Sequence, residues 1–429
     1  MKIAFYTLGC KVNQYETEVM REAFEKAGYT VASQGESFDV AVINSCTVTA
    51  ESDRKTRQIL NRFRRENENA LIVLTGCMVQ AFPEESAGLL GADIVVGNRD
   101  VSKILTLCEE FFDKKQRMVE ICPHNRGDKF NTPSVSSFAE RTRAYMKIED
   151  GCDRYCSYCI IPTARGWVRS KPLCEIKAEA EKLAKNGYIE VVLVGINLSA
   201  YGKGEDINLC DAVETVASVE GIKRVRLGSL EPDHITDEML ERFKNEPKFC
   251  PQFHLSLQSG SNKTLKRMNR HYTAEFYYDL ISRIRNTFEN AAITTDIMVG
   301  FAGETEQEFE ESLAFCEKAG FAKAHIFSYS RRKGTVAYGL GNQVTNAEKS
   351  SRSKRLAAVC EKTEQEFLAS QIGKEFEVLF ETYENGLNFG YTKNYSRVFI
   401  KSEKSFEGEI KRIKIINSKK DICEGIYNE

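Results

Sequence analysis

Residues 144–159 read Ala144-Tyr-Met-Lys-Ile-Glu-Asp-Gly-Cys152-Asp-Arg-Tyr-Cys156-Ser-Tyr-Cys159. The short run Ala144–Ile148 reads as a strand, and it leads straight into a loop with cysteines at i, i+4 and i+7. Three thiolates that close together can hold one soft metal centre, and thiolate ligands favour iron–sulfur clusters or zinc. A structural zinc site takes four ligands, usually as paired C-x2-C knuckles, and no fourth Cys or His follows nearby. The ferredoxin run C-x2-C-x2-C does not fit either. Three thiolates on a cubane of four irons leave one iron open to a substrate-like ligand. The plain alternative is three buried or loosely reactive cysteines.

Outward from this loop, strand and helix patterns alternate over residues 143–330. Strands are expected at Ala144–Ile148, Glu190–Val194, Arg224–Gly228, Gln252–Leu257, Ile293–Val299 and Lys323–Phe327. Helices fall between them, among them Glu175–Asn186, Asp237–Asn245, Tyr272–Arg285 and Glu304–Ala319. Six βα units predict a partial (β/α)6 barrel. In such barrels the chemistry sits on loops at the strand C-termini, where the three-cysteine loop lies. His254 and His325 fall on expected strands and read as hydrogen-bonded core rather than ligands.

Upstream, residues 1–114 repeat strand–helix units and predict an open α/β domain. Its first three strands end in Leu8-Gly9-Cys10, Asn44-Ser45-Cys46 and Thr75-Gly76-Cys77. Ligands of open α/β sheets bind at the carboxyl ends of the strands, so Cys10, Cys46 and Cys77 are expected to converge on a second three-thiolate site. Against this stands the ordinary role of a free cysteine as a small buried hydrophobe. Residues 115–138, with Pro123, Gly127 and Pro133, read as a linker. The barrel segment is placed at 139–368, with a Glu-, Lys- and Arg-rich helix over 346–369 packing along it.

Downstream, residues 371–429 change character. Phe376–Tyr383, Asn388–Ser402 and Gly408–Ile416 are strand-like and predict a small β-barrel. Tyr391, Lys393, Tyr395, Arg397 and Phe399 interleave rings with cations. That pattern suits either stacking on single-stranded RNA or a strand with one buried and one solvated face. The fold class is therefore α/β, in three parts.

The chain has 429 residues, 14 of them cysteine, and a net charge of −2. That charge does not mark a non-specific nucleic-acid binder, so any RNA contact must be local. No run is long and apolar enough to span a membrane, and the N-terminus lacks the pattern of a signal peptide. The expected location is cytoplasmic, where so many cysteines argue for metal or redox chemistry.

The C-x3-C-x2-C loop, with Tyr158 before its last cysteine, resembles that of the radical S-adenosylmethionine (SAM) superfamily. The order of three-cysteine domain, partial barrel and β-domain resembles the methylthiotransferase family over nearly the whole chain. Within it, Thr7-Leu8-Gly9-Cys10-Lys11-Val12-Asn13-Gln14, Ser229-Leu230-Glu231-Pro232 and Leu257-Gln258-Ser259-Gly260-Ser261 resemble the branch acting on threonylcarbamoyladenosine in tRNA. Ser328, Arg331, Val336 and Thr163 depart from that branch's usual residues. The other branches modify isopentenyladenosine in tRNA or an aspartate of a ribosomal protein. The β-domain resembles the RNA-binding TRAM module.

This resemblance implies two [4Fe–4S] clusters. Cys152, Cys156 and Cys159 would ligate the radical SAM cluster, whose open iron SAM chelates, and Cys10, Cys46 and Cys77 an auxiliary one. The implied reaction is methylthiolation of C2 of N6-threonylcarbamoyladenosine at position 37 of tRNA. That C–H bond carries no leaving group, so polar acid–base catalysis has little to act on. The implied partners are the tRNA anticodon stem-loop, a low-potential electron donor and a sulfur donor, with no membrane. Tyr158, Gly195 and Gln258 are the candidate SAM contacts, and no catalytic residue is expected beyond the cluster ligands. Arg332 and Lys333 are candidates for the acidic threonyl group, because a carboxylate favours such partners.

Overall fold

The computed structural model describes residues 1–33, 35–138 and 142–427. The boundary read at 139 and the chain end at 429 lie outside them. Apolar, β-branched runs form β1 (Lys2–Thr7), β2 (Thr30–Val31), β3 (Val40–Ser45), β4 (Leu71–Gly76), β5 (Ile94–Val96) and β6 (Met118–Glu120). They make one parallel sheet in the order β2-β1-β3-β4-β5-β6. Both β3 and β4 are buried along their whole length, as a parallel sheet covered on two faces requires. The covering helices are α1 (Lys11–Lys26), α2 (Ala50–Glu66), α3 (Cys77–Ala81), α4 (Pro83–Ala87) and α5 (Ile104–Lys114). Strand β6 falls inside the stretch read as linker. Three residues at a sheet edge carry too little periodicity to show in sequence.

The barrel comprises β7 (Arg143–Lys147), β8 (Glu149–Asp150), β9 (Arg169–Ser170), β10 (Glu190–Val194), β11 (Arg224–Leu227), β12 (Ser229–Leu230), β13 (Gln252–Leu255), β14 (Ala292–Val299) and β15 (Lys323–Ser328). Its helices are α6 (Ile161–Arg165), α7 (Leu173–Lys185), α8 (Leu209–Ala217), α9 (Asp237–Asn245), α10 (Asn262–Arg267), α11 (Ala274–Thr287) and α12 (Glu306–Ala319), followed by the long α13 (Asn346–Ala369). The parallel arcs β7-β10-β11 and β12-β13-β14-β15 meet at the bridge Val225–Phe249, which leaves a partial barrel of six principal strands. Helix α13 lies along β15 and α12.

The C-terminal part is a closed barrel of β16 (Glu375–Glu384), β17 (Leu387–Thr392), β18 (Arg397–Lys401), β19 (Ile410–Lys419) and β20 (Ile422–Ile426). The segment read as one strand over 388–402 is two strands, turning at Tyr395 in a left-handed conformation (φ 68°). This barrel sits at the N-terminal ends of the central strands. Arg224 donates to the carbonyls of Tyr391 (2.9 Å) and Glu377 (2.8 Å), and Arg226 to that of Lys393 (2.8 Å). Tyr391 and Tyr395 stack at 4.7 Å, with the Arg143 guanidinium 4.9 and 5.0 Å from the two rings. These two rings therefore dock the β-barrel onto the central barrel, a use the strand pattern did not reveal.

Candidate iron–sulfur centres and the cavity between them

The strand order of the N-terminal sheet reverses between β1 and β3, and ligands of such sheets bind at that switch point. Cys10 caps the N-terminus of α1 just past β1, Cys46 follows β3, and Cys77 begins α3 directly after β4. Asn13 draws the three turns together. Its Nδ2 donates to the carbonyls of Leu8 and Ser45, both at 2.9 Å. Its Oδ1 lies 3.8 Å from both Cys10 Sγ and Cys77 Sγ. Burial pushes the Cys77 thiol up to about 12, and its neighbours Cys46 and Cys10 push the same way. Cys46 is raised as well, by burial first and then by Cys10. A metal bound here must displace those protons.

Gly76 sets where Cys77 starts. Its φ is 100°, and a Cβ there would stand 2.4 Å from the Ser45 carbonyl oxygen. Gly76→Ala is expected to cost about 1–3 kcal/mol through that clash and to move Cys77 off the other two thiols. Thermal unfolding and the iron content after reconstitution check both effects.

The second triad is positioned by the loop after β8. Cys152 N–H donates to the Gly166 carbonyl (3.0 Å), and Cys159 N–H to that of Cys156 (2.9 Å). Arg270, buried, donates from Nη1 to Cys156 Sγ at 3.2 Å and to Glu231 Oε1 at 3.2 Å. Burial raises the Cys152 thiol and takes that of Cys159 up to about 12. Cys156 and Cys159 face a cleft of about 210 Å³ with Thr163, Trp167 and Gly334. Among the described residues no three His, Cys, Asp or Glu side chains close on a single metal ion. The donor set, three thiols with no fourth protein ligand, fits a cubane with one open iron.

The two triads abut. Helix α6 leaves the Cys159 loop and packs Ile160 and Ala164 against Cys77 and Ala81 of α3. From α6, Arg165 Nε donates to Cys77 Sγ at 3.2 Å, and Nη2 to Asn13 Oδ1 at 2.8 Å. A cavity of about 660 Å³ fills the barrel interior. Cys10 and Gly195 line one end, His254, Asp296 and His325 its wall, and Tyr395 its floor. His254 bonds Asp296 Oδ2 (3.1 Å) and Thr294 Oγ1 (3.0 Å). Both histidines thus face the cavity instead of the apolar core.

Of the residues singled out in sequence, Gly195 directly follows β10, where a Cβ would stand 2.5 Å from Glu149 Oε2. Tyr158 packs edge-on against Phe301 at 6.3 Å. Gln258 has a φ of 67°, and its backbone bonds both ways to β14, through Asp296 O (2.8 Å) and Met298 N (2.9 Å). Arg332 and Lys333 lie elsewhere. Arg332 is buried against Thr47 Oγ1 (2.6 Å) and Asp53 Oδ2 (2.7 Å), and the exposed Lys333 pairs with Glu85 (3.0 Å). Both charges tie the barrel to the N-terminal domain. Sequence reasoning missed Asn13, Arg165 and Arg270, whose partners are distant in the chain. The one available signal was that Asn13 and Arg165 lie a few residues beyond ligand cysteines.

A family model described as the radical SAM superfamily matches residues 146–316, and one described as uncharacterized protein family UPF0004 matches residues 2–97. The threonylcarbamoyladenosine tRNA methylthiotransferase MtaB of Bacillus subtilis is 39% identical over 433 residues, 99% of this chain and 96% of the relative. The enzyme of the same name from Thermotoga maritima is 37% identical, over 98% of this chain and 97% of its own. A tRNA-2-methylthio-N(6)-dimethylallyladenosine synthase of Natranaerobius thermophilus is 34% identical, over 96% and 94%. Among solved structures, the radical S-adenosylmethionine methyltransferase TsrM of Kitasatospora setae aligns with a TM-score of 0.59 at 13% identity. It covers 90% of this chain and 77% of its own, a likeness of fold.

Proposed function

The chain belongs to the methylthiotransferase family of radical SAM enzymes, and from that premise we propose that it methylthiolates C2 of N6-threonylcarbamoyladenosine at position 37 of tRNA. The observation that carries this reading is that one cavity is lined by both Cys10 and Gly195. A single base inserted there is within reach of both halves of the chemistry. Cys152, Cys156 and Cys159 hold the radical SAM cluster, and Cys10, Cys46 and Cys77 the auxiliary cluster. When bound, the first supplies with SAM a carbon radical able to take hydrogen from adenine, and the second supplies the sulfur.

The protein's own residues bind, orient and shield. Gly195 leaves room for the methionine part of SAM, Tyr158 walls its adenine and Gln258 reaches toward its ribose. The barrel walls keep bulk water from the reacting carbon, as a radical step requires. Arg332 and Lys333 serve the substrate indirectly in this arrangement, by fixing the N-terminal domain over the cavity. The β-barrel adds the RNA contact, from faces other than the docked Tyr391 and Tyr395. A low-potential electron donor and a sulfur donor complete the reaction. Among the described residues no helix is long and apolar enough to cross a membrane, in keeping with work on tRNA in the cytoplasm.

The test is mass spectrometry of tRNA nucleosides from a strain lacking the gene, with and without complementation. Restoration of 2-methylthio-threonylcarbamoyladenosine is the expected result. Restoration of the 2-methylthio-isopentenyl nucleoside would keep the chemistry and change the substrate. No change in any methylthio-nucleoside would overturn the tRNA reading and point to a ribosomal protein.

A further inference from the structure

The strongest feature left unexplained by that reading is a set of charges buried between the two triads. Arg165 is fully buried on α6 and holds Glu16 with both terminal nitrogens. Lys147 reaches Glu16 (2.7 Å) and Asp150 (2.8 Å), and Arg169 reaches Asp150 (3.0 Å). All five side chains are at most 7% exposed. Three cations therefore face two carboxylates. Glu149 is driven toward its neutral form chiefly by burial, and His124 is lowered to about 4 by burial and by Arg169.

A positive charge buried without its partner destabilises the fold that holds it. Arg165 Nε points at Cys77 Sγ at 3.2 Å, so the free donor of this buried cation is aimed at the site where a cluster's sulfur would lie. An ordinary structural ion pair would saturate Arg165 with carboxylate. Here both terminal nitrogens hold Glu16 and Nε is turned onto sulfur, while the helix that carries the arginine begins two residues after Cys159. Gly166 ends that helix at φ 67°, so the arginine has a fixed origin.

We propose that Arg165 is the positioning residue of the auxiliary centre. It holds Cys77 against the loop of Cys152, Cys156 and Cys159, and its N–H···S bond stabilises the reduced form of the cluster bound there. Hydrogen bonds to cluster sulfurs and nearby charge raise a cluster's reduction potential, and a charge-assisted bond is the stronger kind. The proposal rests on the assignment of Cys10, Cys46 and Cys77 as cluster ligands.

The experiment uses full-length protein carrying Cys152→Ala, Cys156→Ala and Cys159→Ala, reconstituted so that only the auxiliary cluster remains, and potentiometric titration followed by electron paramagnetic resonance. Absence of iron from this protein would overturn the ligand assignment and the proposal with it. With iron present, Arg165→Gln is expected to lower the midpoint potential, and Arg165→Lys, which keeps charge but loses the fork, to lower it less. An unchanged potential overturns the proposal alone. The companion protein with Cys10→Ala, Cys46→Ala and Cys77→Ala, which keeps only the other cluster, is expected to show no such shift. An equal shift there means a general structural effect and also overturns it. Should both Arg165 variants fail to fold, the unsubstituted arginine decides. Protein labelled with 15N-arginine should show a 15N hyperfine coupling in the reduced auxiliary-cluster spectrum, and its absence overturns the proposal.

Discussion

Alanine at Cys152, Cys156 and Cys159 together is expected to abolish SAM cleavage and to halve the reconstituted iron, from about eight to about four per chain. Alanine at Cys10, Cys46 and Cys77 should remove the same amount of iron but leave SAM cleavage under reducing conditions, while abolishing the methylthio product. The asymmetry follows from geometry. The first triad lies on one loop against Arg270 and the 210 Å³ cleft. The second is built on a separate sheet, which meets the barrel through α1, through α6 and through pairs such as Arg332–Asp53. Liquid chromatography of 5′-deoxyadenosine with an iron assay reads both. SAM cleavage surviving loss of the first triad would refute the assignment of the two centres.

The second large effect is on stability. Lys171 and Glu179 form an ion pair with no exposed surface on either side chain. Glu179 also accepts from Tyr15 Oη (2.8 Å) of α1 and from the Val135 N–H (3.3 Å), and Lys171 donates to Ser134 Oγ (3.2 Å). N-terminal helix, connecting segment and barrel thus meet at one carboxylate. Lys171→Met leaves that carboxylate buried without its cation, and the expected loss is about 3–5 kcal/mol. Replacing both partners, Lys171→Met with Glu179→Leu, should cost much less, because no charge is then stranded. Denaturant unfolding of the two variants measures the difference. Equal losses would mean that packing, not charge, governs the site.

Part of the candidate centre is legible in the sequence and part is not. Cys152, Cys156 and Cys159 declare themselves because the candidate ligands of one centre sit within eight residues. Cys10, Cys46 and Cys77 are far apart, yet each follows a strand of one parallel sheet. The strand–helix repeat that forms the sheet brings them to one edge. Arg332 and Lys333 illustrate the opposite case. Two cations after a strand look like ligands for an acidic substrate until the fold brings Asp53 and Glu85 against them. Tyr391 and Tyr395 look equally fit for RNA and for packing, and the choice is made by Arg143 from the distant strand β7.

By itself, then, the sequence determined the three-part architecture, the six ligand cysteines as candidates and the family. Each of these is written in local spacing or in a repeat that survives without knowing what packs on what. Only the tertiary structure decided which arginine serves a sulfur and which serves a carboxylate, that Asn13 ties the three cysteine turns together, and that Cys10 and Gly195 line one cavity. Several of those facts depend on pairs far apart in the chain, such as Arg165 with Cys77 and Arg270 with Cys156. A long charged side chain carries no mark of its burial until its partner is in place. Burial then makes each pairing compulsory, because a charge taken out of water without a partner would destabilise the fold that placed it there.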